Sequence, residues 1–205
     1  FGNPTQVAAA IAVNERVQIA KLLGLANQNN LCICPISSGN NWGYGSVNPI
    51  KDKALVILDL SKLKRIIPIA KELGFIALEP GVTQQDLAEY LEKNNWHYMT
   101  PVTGAGPACS LVSNTLERGY GITPYTDHFM AASSFRYFLP HPDMCDQECY
   151  SPVASLDKSV KSGAQRSIVD ASYKWGIGPN FDGMLTQSNL AVVSEMSLRL
   201  APIPN

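Results

Sequence analysis

Two short apolar runs, separated by a loop rich in glycine and asparagine, constrain the fold of this chain more than any other feature. Residues 31–36 and 54–60 are each long enough for one strand, and the second run is apolar almost throughout, as in a strand covered on both faces. A helix predicted from an N-cap at Asn14 to about Gln28 precedes the first run. The order helix, strand, loop, strand predicts a small α/β unit with the loop at the carboxyl end of a strand, where open α/β sheets bind ligands.

The loop itself, residues 35–45, reads Pro-Ile-Ser-Ser-Gly-Asn-Asn-Trp-Gly-Tyr-Gly. Glycine permits positive φ and close backbone approach, so successive N–H groups can point towards one bound anion. The loop has no lysine or arginine, so a phosphate would be held by backbone amides and hydroxyls. The alternative interpretation of the same composition is a surface turn.

The remainder of the chain predicts a second unit that mixes strands and helices. Strands are expected at 75–80, 133–139 (half-buried) and 192–200, and helices at 83–94, with a capping box of Thr83 and Asp86, and at 164–175, with an irregular segment at 140–163. In the last helix, Ile168, Ala171 and Trp175 are expected to face inward.

Four further blocks follow the glycine loop. They are Glu-Pro-Gly-Val-Thr from Glu79, Asn-Thr-Leu-Glu-Arg-Gly-Tyr-Gly from Asn114, Thr-Pro-Tyr-Thr-Asp-His-Phe from Thr123, and Gly-Pro-Asn-Phe-Asp-Gly from Gly178 running into Thr-Gln-Ser-Asn from Thr186. Together the five blocks resemble, in order, those of the vanillyl-alcohol oxidase/p-cresol methylhydroxylase family of flavoproteins. One block is a weak indication, but five in order cover nearly the whole chain.

The resemblance implies an α+β fold of the p-cresol methylhydroxylase (PCMH) type, in which two lobes clasp an extended FAD. Residues 1–205 are expected to form this FAD-binding domain, with a small α/β lobe at about 1–70 and a larger α+β lobe, built on a mixed or antiparallel sheet, at about 71–205. In the family a separate cap domain covers the flavin and carries most phenol-binding side chains. That cap is expected to be absent from these residues.

The resemblance also implies which residues contact the cofactor. The glycine loop is assigned to the pyrophosphate, the second block to adenine and ribose, the middle blocks to a wall beside the ribityl chain and flavin, and the last block to closing contacts. The residues are Pro35, Ile36, Ser37, Ser38, Gly39, Asn40, Asn41, Trp42 and Gly43; Pro80, Gly81 and Val82; Ser110, Asn114, Gly119, Gly121, Pro124 and Tyr125; and Gln187, Asn189, Val192 and Val193. The loop lacks the histidine to which some flavoproteins attach FAD, so non-covalent FAD is expected.

Asp127 is the expected catalytic residue, because the matching aspartate of the family lies near flavin N5. A carboxylate there can hydrogen-bond the reduced flavin and tune its potential. The alternative for Asp127 is a loop aspartate that caps its own backbone. His128 is expected to be a packed, hydrogen-bonded residue, and Arg118 either faces a flavin carbonyl or pairs with an acid such as Glu117.

The blocks depart from the family pattern at three positions. Thr126 stands where the family has glycine, which puts the aim of Asp127 in question. Asn180 replaces an aromatic residue and Ala191 replaces a glycine.

Charge and cysteine usage exclude other classes of function. A net charge of −1 and a pI near 6.3 provide no basic surface for nucleic acid or an anionic membrane, and no apolar run approaches the roughly 20 residues that span a bilayer. The cysteines, an odd number without disulfide spacing, predict reduced thiols in a cytoplasmic protein; they are Cys32, Cys34, Cys109, Cys145 and Cys149. No metal site is expected, because His141, Cys145 and Cys149 lack a fourth ligand.

The resemblance therefore implies an FAD-dependent oxidoreductase that transfers hydride from a para-substituted phenolic, alcohol-type substrate to flavin N5. Its expected partners are this small molecule and an electron acceptor, with the cap supplied by a partner subunit or by a continuation of the chain. The alternative is a non-catalytic or degenerate FAD-binding module that lacks the cap. A nicotinamide dehydrogenase is disfavoured, because the run Gly104-Ala-Gly106 has no third glycine.

Overall fold

The first lobe is built on a three-stranded parallel sheet. The computed structural model describes residues 7–40, 54–122, 127–151, 168–175 and 179–204. The sheet has the order β1-β3-β2, with β1 Val7–Ala12, β2 Cys32–Ile36 and β3 Leu55–Asp59, and the helix α1 Val17–Asn29 connects β1 to β2. The central strand β3 has buried residues on both faces, among them Leu55, Val56 and Leu58, as its apolar sequence predicts. The predicted α/β unit is therefore confirmed.

The helix α1 begins at Val17, two residues later than the predicted N-cap at Asn14 implies. The backbone N–H of Asn14 donates to Gln18 Oε1 over 2.7 Å instead of leaving the Asn14 side chain to cap the helix. At the other end Asn30 adopts a left-handed conformation, φ 52°, and its N–H donates to the carbonyl of Ala26. Asparagine tolerates this conformation better than most residues, which is why the asparagine-rich segment ends the helix.

The second lobe is built on a five-stranded sheet in which every pairing between described strands is antiparallel. Its order is β4-β5-β10-β8-β9. The strands are β4 Ile66–Ala70, β5 Phe75–Leu78, β8 Ala132–Phe138, β9 Glu148–Ser151 and β10 Val192–Arg199. The first sheet ends at Asp59 and the second begins at Ile66, so the change of sheet lies a few residues before position 70.

Short helices pack beside this sheet. They are α2 Gln84–Lys93, α3 Leu111–Leu116, α4 His128–Ala131 and α5 Ile168–Ser172. Two short strands, β6 Val102–Thr103 and β7 Gly121–Ile122, pair with each other in an antiparallel way. Short 3₁₀ turns occur at Lys71–Leu73 and Asp182–Leu185. The predicted capping box of α2 is confirmed, because Thr83 Oγ1 accepts from the amide of Asp86 while the Asp86 carboxylate accepts from the amide of Thr83. No described helix is long and apolar enough to cross a membrane.

Two predictions for the second sheet are wrong. Strand β8 is not half-buried, because every residue except Tyr137 is buried and both faces are covered. On one face Phe135 joins the core, and on the other Ser134 bonds to Ser197, whose hydroxyl donates to the Ala171 carbonyl of α5. The segment 140–163 is not irregular throughout, because β9 pairs with β8 within it.

The helix predicted at 164–175 is much shorter where the structure describes it. Helix α5 ends at Ser172, and residues 164–167 lie outside the described residues. Ala171 faces inward as predicted, but Ile168 and Trp175 are 50% and 62% exposed. A helix of five residues lets its small residue contact the sheet closely and leaves the bulky ones in solvent.

Strands β1 and β4 have no clear sequence signal. Four of the six residues of β1 are alanine, which favours strands poorly, and all six are exposed at the sheet edge. Strand β4 contains Pro68, which cannot donate to a ladder and is tolerated because β4 is also an edge strand.

Two hydrophobic clusters form the core of the described residues. The larger fills the space between the five-stranded sheet and α2 and α3, and includes Leu87, Phe135 and Met196. The smaller lies under α1 but also contains Phe138 of β8 and Val192 of β10. Because the smaller cluster draws residues from both sheets, the lobes share part of one core.

A group of charged side chains, which we call the inter-lobe ion cluster, joins the start of α1 to the second sheet. Arg16 Nη1 lies 2.8 Å from Glu195 Oε2 and 3.3 Å from Glu148 Oε1, and Arg16 Nε lies 3.6 Å from Glu79 Oε1. Arg136 contacts Glu148 and Glu195, each at 3.3 Å. The cluster also includes Arg65, 2.7 Å from Glu79. It adds charged contacts between the lobes to the apolar contacts of the smaller cluster.

Candidate functional site

The first part of the glycine loop, residues 35–40, is described by the structure and contacts the start of α3. The hydroxyl oxygens of Ser37 and Ser113 lie 2.5 Å apart, and the amide of Ser110 donates to Ser38 Oγ over 3.1 Å. The side-chain amide of Asn40 donates to the carbonyl of Ala108 over 3.0 Å. Three contacts therefore bring the predicted pyrophosphate loop beside Ser110, a predicted wall residue 72 positions away along the chain.

Gly39 gives the loop its open shape. Its φ is +69°, a left-handed conformation that glycine adopts without strain, and no atom of the described residues lies within 4 Å of the position of a Cβ. Ser38 is half-buried, whereas Gly39 and Asn40 are exposed. The described part of the loop thus exposes backbone and small polar groups, and its other predicted residues, Asn41, Trp42 and Gly43, lie outside the described residues.

The residues before the loop belong to strand β2. Pro35 is exposed and pairs with Leu58, while the carbonyl of Ile36 accepts from the amide of Leu60 over 2.8 Å. Because β2 is an edge strand, the proline removes no inner ladder bond. The loop therefore starts at the carboxyl end of a parallel strand, as the sequence predicts.

The predicted adenine and ribose wall contacts the same region. Ser110 Oγ donates to the carbonyl of Pro80 over 2.6 Å, and the amide of Leu111 donates to the carbonyl of Val82 over 3.2 Å. Gly81 is needed for packing, because a Cβ there would lie 2.3 Å from the Ser61 carbonyl oxygen. Pro80, Gly81 and Val82 are buried, so this wall is defined by the close fit of three chain segments.

The second predicted wall is organised by Asn114 and His128. The Asn114 amide nitrogen lies 2.6 Å from His128 Nδ1, and the Asn114 carbonyl accepts from the amide of Gly119 over 2.8 Å. A Cβ on Gly119 would lie 2.2 Å from Asn114 Oδ1, and one on Gly121 would lie 2.2 Å from the His128 ring. Both glycines therefore allow the wall to close tightly on its own side chains.

His128 is a packed neutral residue. It is 4% exposed, and burial lowers the pKa of its imidazole against smaller opposing effects that include the charge of Asp127. Because the Asn114 amide nitrogen can only donate, Nδ1 accepts and the proton of the neutral ring lies on Nε2. The prediction of a packed, hydrogen-bonded histidine is confirmed.

Asp127 is exposed and caps the single turn of α4. Its Oδ1 accepts from the amide of Met130 over 2.7 Å, so one carboxylate oxygen is used by the backbone, as the alternative interpretation of this residue states. The cap leaves Oδ2 for another partner. Pro124, Tyr125 and Thr126, which precede it, lie outside the described residues.

The last block reaches the end of α3. The amide of Gln187 donates to the Leu116 carbonyl and its side-chain amide donates to the Glu117 carbonyl, both over 2.9 Å. Gln187 has a positive φ of 47°, and it is exposed, as is Asn189. Val192 and Val193 are buried in β10 opposite β8, so any contact with a ligand would come from their backbone or from residues beside them.

Two cations approach the ring of Phe129, the first apolar residue of α4. Arg118 Cζ and Lys174 Nζ each lie 4.8 Å from its centroid. Burial lowers the pKa of Lys174, while the carboxylates of Asp182 and Asp127 act in the opposite direction. No ion pair joins Arg118 to Glu117 among the described residues, so the structure places this guanidinium over an aromatic ring.

Among the described residues no three side chains of histidine, cysteine, aspartate or glutamate form a metal-binding group. His141 is exposed and lies 3.9 Å from Asp143, and Cys145 is buried with its thiol directed to the Pro142 carbonyl. All five cysteines are free thiols.

These residues fit a dinucleotide. The free space over Gly39 and the exposed small groups beside it suit a charged pyrophosphate held by backbone donors. An exposed carboxylate oxygen at Asp127 suits the polar edge of a flavin. The site takes residues from both lobes, with the loop from the first lobe and all other walls from the second.

Sequence reasoning missed two residues of this site. Ser113 hydrogen-bonds to Ser37, and Lys174 contacts α4. Neither residue belongs to any of the five sequence blocks. Ser113 had one usable signal, its position three residues after Ser110 on the same side of α3. Lys174 had none, because it reaches its partners over 45 positions of sequence.

Comparison with known proteins gives a consistent result. Residues 7–140 match the family described as FAD binding domain. The chain is 32% identical over 204 residues to 1'-carboxy-chondrochloren decarboxylase of Chondromyces crocatus, covering 100% of this chain and 35% of that protein. It is 33% identical over 196 residues to the 4-cresol dehydrogenase (hydroxylating) flavoprotein subunit of Pseudomonas putida, covering 96% and 35%.

The fold agrees with a solved structure as well. The crystal structure of p-cresol methylhydroxylase with substrate bound superposes with a TM-score of 0.81 and 31% sequence identity, covering 95% of this chain and 35% of that one. The chain thus spans about a third of the length of the relatives that it matches.

Proposed function

The chain belongs to the family of FAD-binding domains of the p-cresol methylhydroxylase type, and from this premise we propose that it holds FAD non-covalently and presents it for hydride transfer from a para-substituted phenolic substrate. Family membership makes it an FAD-binding domain of the flavin-dependent oxidoreductases. The substrate class, the mode of attachment and the role of each residue are our proposal.

The substrate class is supported by the relatives. One is a dehydrogenase of 4-cresol and another is p-cresol methylhydroxylase, so both act on a phenol with a para substituent. A third is a decarboxylase of a carboxylated compound, which indicates that this type of domain serves more than one reaction. Because the chain spans about a third of their length, substrate-binding groups would come from a continuation of the chain or from a partner that carries the cap.

The residues of the loop and the walls would bind and orient the cofactor. The amides of residues 37–40 would hold the pyrophosphate, the segment 80–82 would line the adenine side, and the wall around Asn114 would flank the flavin. Residues 187–193 would close the site. FAD, when bound, supplies the acceptor of the hydride.

Asp127 would act on the flavin edge through the oxygen that its capping bond leaves available. With Oδ1 fixed by the amide of Met130, Oδ2 would accept a hydrogen bond from the N5 side of the flavin. This interaction is stronger with the reduced flavin, which carries a proton at N5, so it would raise the reduction potential. The side chain therefore needs a fixed direction, which the cap supplies.

The observation that carries the proposal is the open, positive-φ loop at Gly39, tied by three hydrogen bonds to the segment 108–113. The first test is the visible absorption spectrum of the purified chain before and after acid precipitation. Flavin bands released into the supernatant would support non-covalent FAD. Flavin that stays in the pellet would refute the non-covalent mode, and a colourless protein that also takes up no added FAD would refute the binding function.

A second candidate is a non-catalytic FAD-binding module or subunit. It is favoured by the use of an Asp127 oxygen as a backbone cap. The two candidates can be distinguished under anaerobic conditions, where a catalytic assembly bleaches its flavin absorbance on addition of 4-cresol and a module does not.

We further propose a cytoplasmic location with reduced thiols and no nucleic-acid partner.

A further inference from the structure

The direction of the Asp127 carboxylate depends on one short helical turn. Helix α4 has four residues, and Asp127 accepts from Met130 through Oδ1 over 2.7 Å and from Ala131 through its carbonyl over 3.1 Å. A single turn has too few hydrogen bonds to be stable by itself. Contacts from other parts of the chain must therefore hold α4, and with it Asp127, in place.

Lys174 makes the polar contacts at the carboxyl end of this turn. Its ammonium donates to the carbonyl of Phe129 over 3.0 Å and to the carbonyl of Met130 over 3.2 Å. The last carbonyls of a helix lack partners within the helix, and a cation at this end also interacts favourably with the helix dipole. Asp127 thus caps the amino end of α4, and Lys174 caps its carboxyl end.

The same ammonium holds the turn through its aromatic residue. Lys174 Nζ lies 4.8 Å from the centroid of the Phe129 ring. That ring stacks on Phe135, with centroids 6.2 Å apart and planes inclined by 18°, and Phe135 is buried in β8. The turn is therefore held between a fixed core residue and a cation.

Lys174 is itself anchored outside α4. Its backbone carbonyl accepts from the side-chain amide of Asn180 over 2.7 Å, and Asn180 Oδ1 accepts from the amide of Asp182 over 2.9 Å. Asp182 is 1% exposed and receives a hydrogen bond from Ser151 of β9. The lysine thus connects α4 to the edge of the five-stranded sheet through a continuous set of contacts.

We propose that Lys174 is a positioning residue for Asp127: by binding the carboxyl end of α4 and the face of Phe129, it sets the direction in which the Asp127 carboxylate points. The proposal rests on the proposed function, because its consequence is the aim of Asp127 at the flavin. Lys174 needs no contact with FAD or substrate for this role.

Arg118 provides a matched comparison. Its guanidinium lies at the same distance from the Phe129 ring as Lys174, 4.8 Å, but it donates no hydrogen bond to the carbonyls of α4 among the described contacts. Removal of either side chain deletes one positive charge beside the ring. Only the removal of Lys174 releases the end of the turn.

The test is a double-mutant cycle on the reduction potential of bound FAD, with wild type, Lys174→Met, Asp127→Ala and the double variant. If Lys174 acts through Asp127, Lys174→Met lowers the potential as Asp127→Ala does, and has no further effect in the Asp127→Ala background. Arg118→Met is expected to move the potential less than Lys174→Met. Equal shifts by Lys174→Met in both backgrounds would show a direct charge effect and overturn the positioning role.

Amide hydrogen exchange of the apoprotein tests the proposal even if FAD is not bound. The amide of Met130, which donates to Asp127 Oδ1, should exchange with solvent at least about tenfold faster in Lys174→Met, since a hydrogen bond from a charged group is lost. Lys174→Arg, which keeps the cation and its donors, should restore most of the protection. Amides of β10 serve as the reference for global unfolding.

The outcomes for the two proposals can be told apart. Absence of FAD from the wild type refutes the proposed function, and the exchange experiment then decides the role of Lys174. Unchanged exchange at Met130 in Lys174→Met overturns that role whether or not FAD binds.

Discussion

Replacement of Arg16 by methionine tests whether the inter-lobe ion cluster stabilises the domain. Methionine keeps an unbranched apolar stem but removes the guanidinium, so the change isolates the charge from most of the packing. The lost contacts are those with Glu195 at 2.8 Å, with Glu148 at 3.3 Å and with Glu79 at 3.6 Å. These carboxylates have side chains only 2–5% exposed, so water cannot replace the cation.

The remaining cations do not compensate for this loss. Arg65 still contacts Glu79 at 2.7 Å, and Arg136 still contacts Glu148 and Glu195, but among the described ion pairs three buried carboxylates then share two guanidinium groups. Removal of one partner from a buried ion pair typically costs about 3–5 kcal/mol, because an uncompensated charge stays buried. We expect Arg16→Met to lower the free energy of unfolding by an amount in that range.

The assay is urea unfolding followed by circular dichroism, with the free energy taken from the midpoint and the slope. Lys64→Met is the matched control, because Lys64 and Asp86 form an ion pair at 3.1 Å with side chains 52% and 32% exposed. A pair so exposed is worth less than about 1 kcal/mol. Equal losses in the two variants would refute the view that burial gives the cluster its strength.

Three further predictions concern the site. Gly39→Val should abolish FAD retention while the apoprotein stays folded, whereas Gly106→Val, with a similarly positive φ of +89° and no described atom within 4 Å of its Cβ position, should retain FAD; equal flavin content in Gly39→Val and wild type would contradict the loop's role. Gly121→Ala should cost about 1–3 kcal/mol in thermal unfolding, because its Cβ would lie 2.2 Å from the His128 ring, whereas Gly183→Ala, with open space, should cost less than about 0.5 kcal/mol. Because burial lowers the pKa of His128 below the ordinary 6.5, the folded protein binds fewer protons than the unfolded chain below that pH. The stability present above about pH 6.5 is therefore lost as the pH falls through the folded-state pKa, and urea midpoints between about pH 7.5 and 5 should fall less in His128→Gln than in wild type.

Local patterns account for the elements that the sequence predicts correctly. The apolar run of β3, the capping box at Thr83 and the alternating residues of β10 each depend on neighbours within one element, so periodicity and capping rules find them. The sequence also predicts correctly that the glycine loop begins at the end of β2, because the apolar run before the loop is local. Where burial depended on a distant element, as for β8 beneath α5, the pattern predicted solvent on a face that is covered.

The site was predictable as a set of blocks but not as a set of contacts. The blocks predict segments that surround one ligand, and the structure places Ser110 in contact with both Ser38 and Pro80. The sequence does not predict Ser113 and Lys174, because the partner of Ser113 lies 76 positions away and that of Lys174 lies 45 positions away. A side chain that acts on another side chain leaves no periodic signal in its own neighbourhood.

The glycines of the blocks meet two different physical demands, which explains why the motif has so many of them. Gly39 has a left-handed backbone and no described atom within 4 Å of the position of a Cβ, which is consistent with the proposed ligand loop. At Gly81 and Gly121 a Cβ would lie 2.3 Å and 2.2 Å from protein atoms, so these positions are needed for the walls to meet. Substitution at the first kind should remove the ligand and leave the fold, whereas substitution at the second kind should destabilise the fold first and lose the ligand as a consequence.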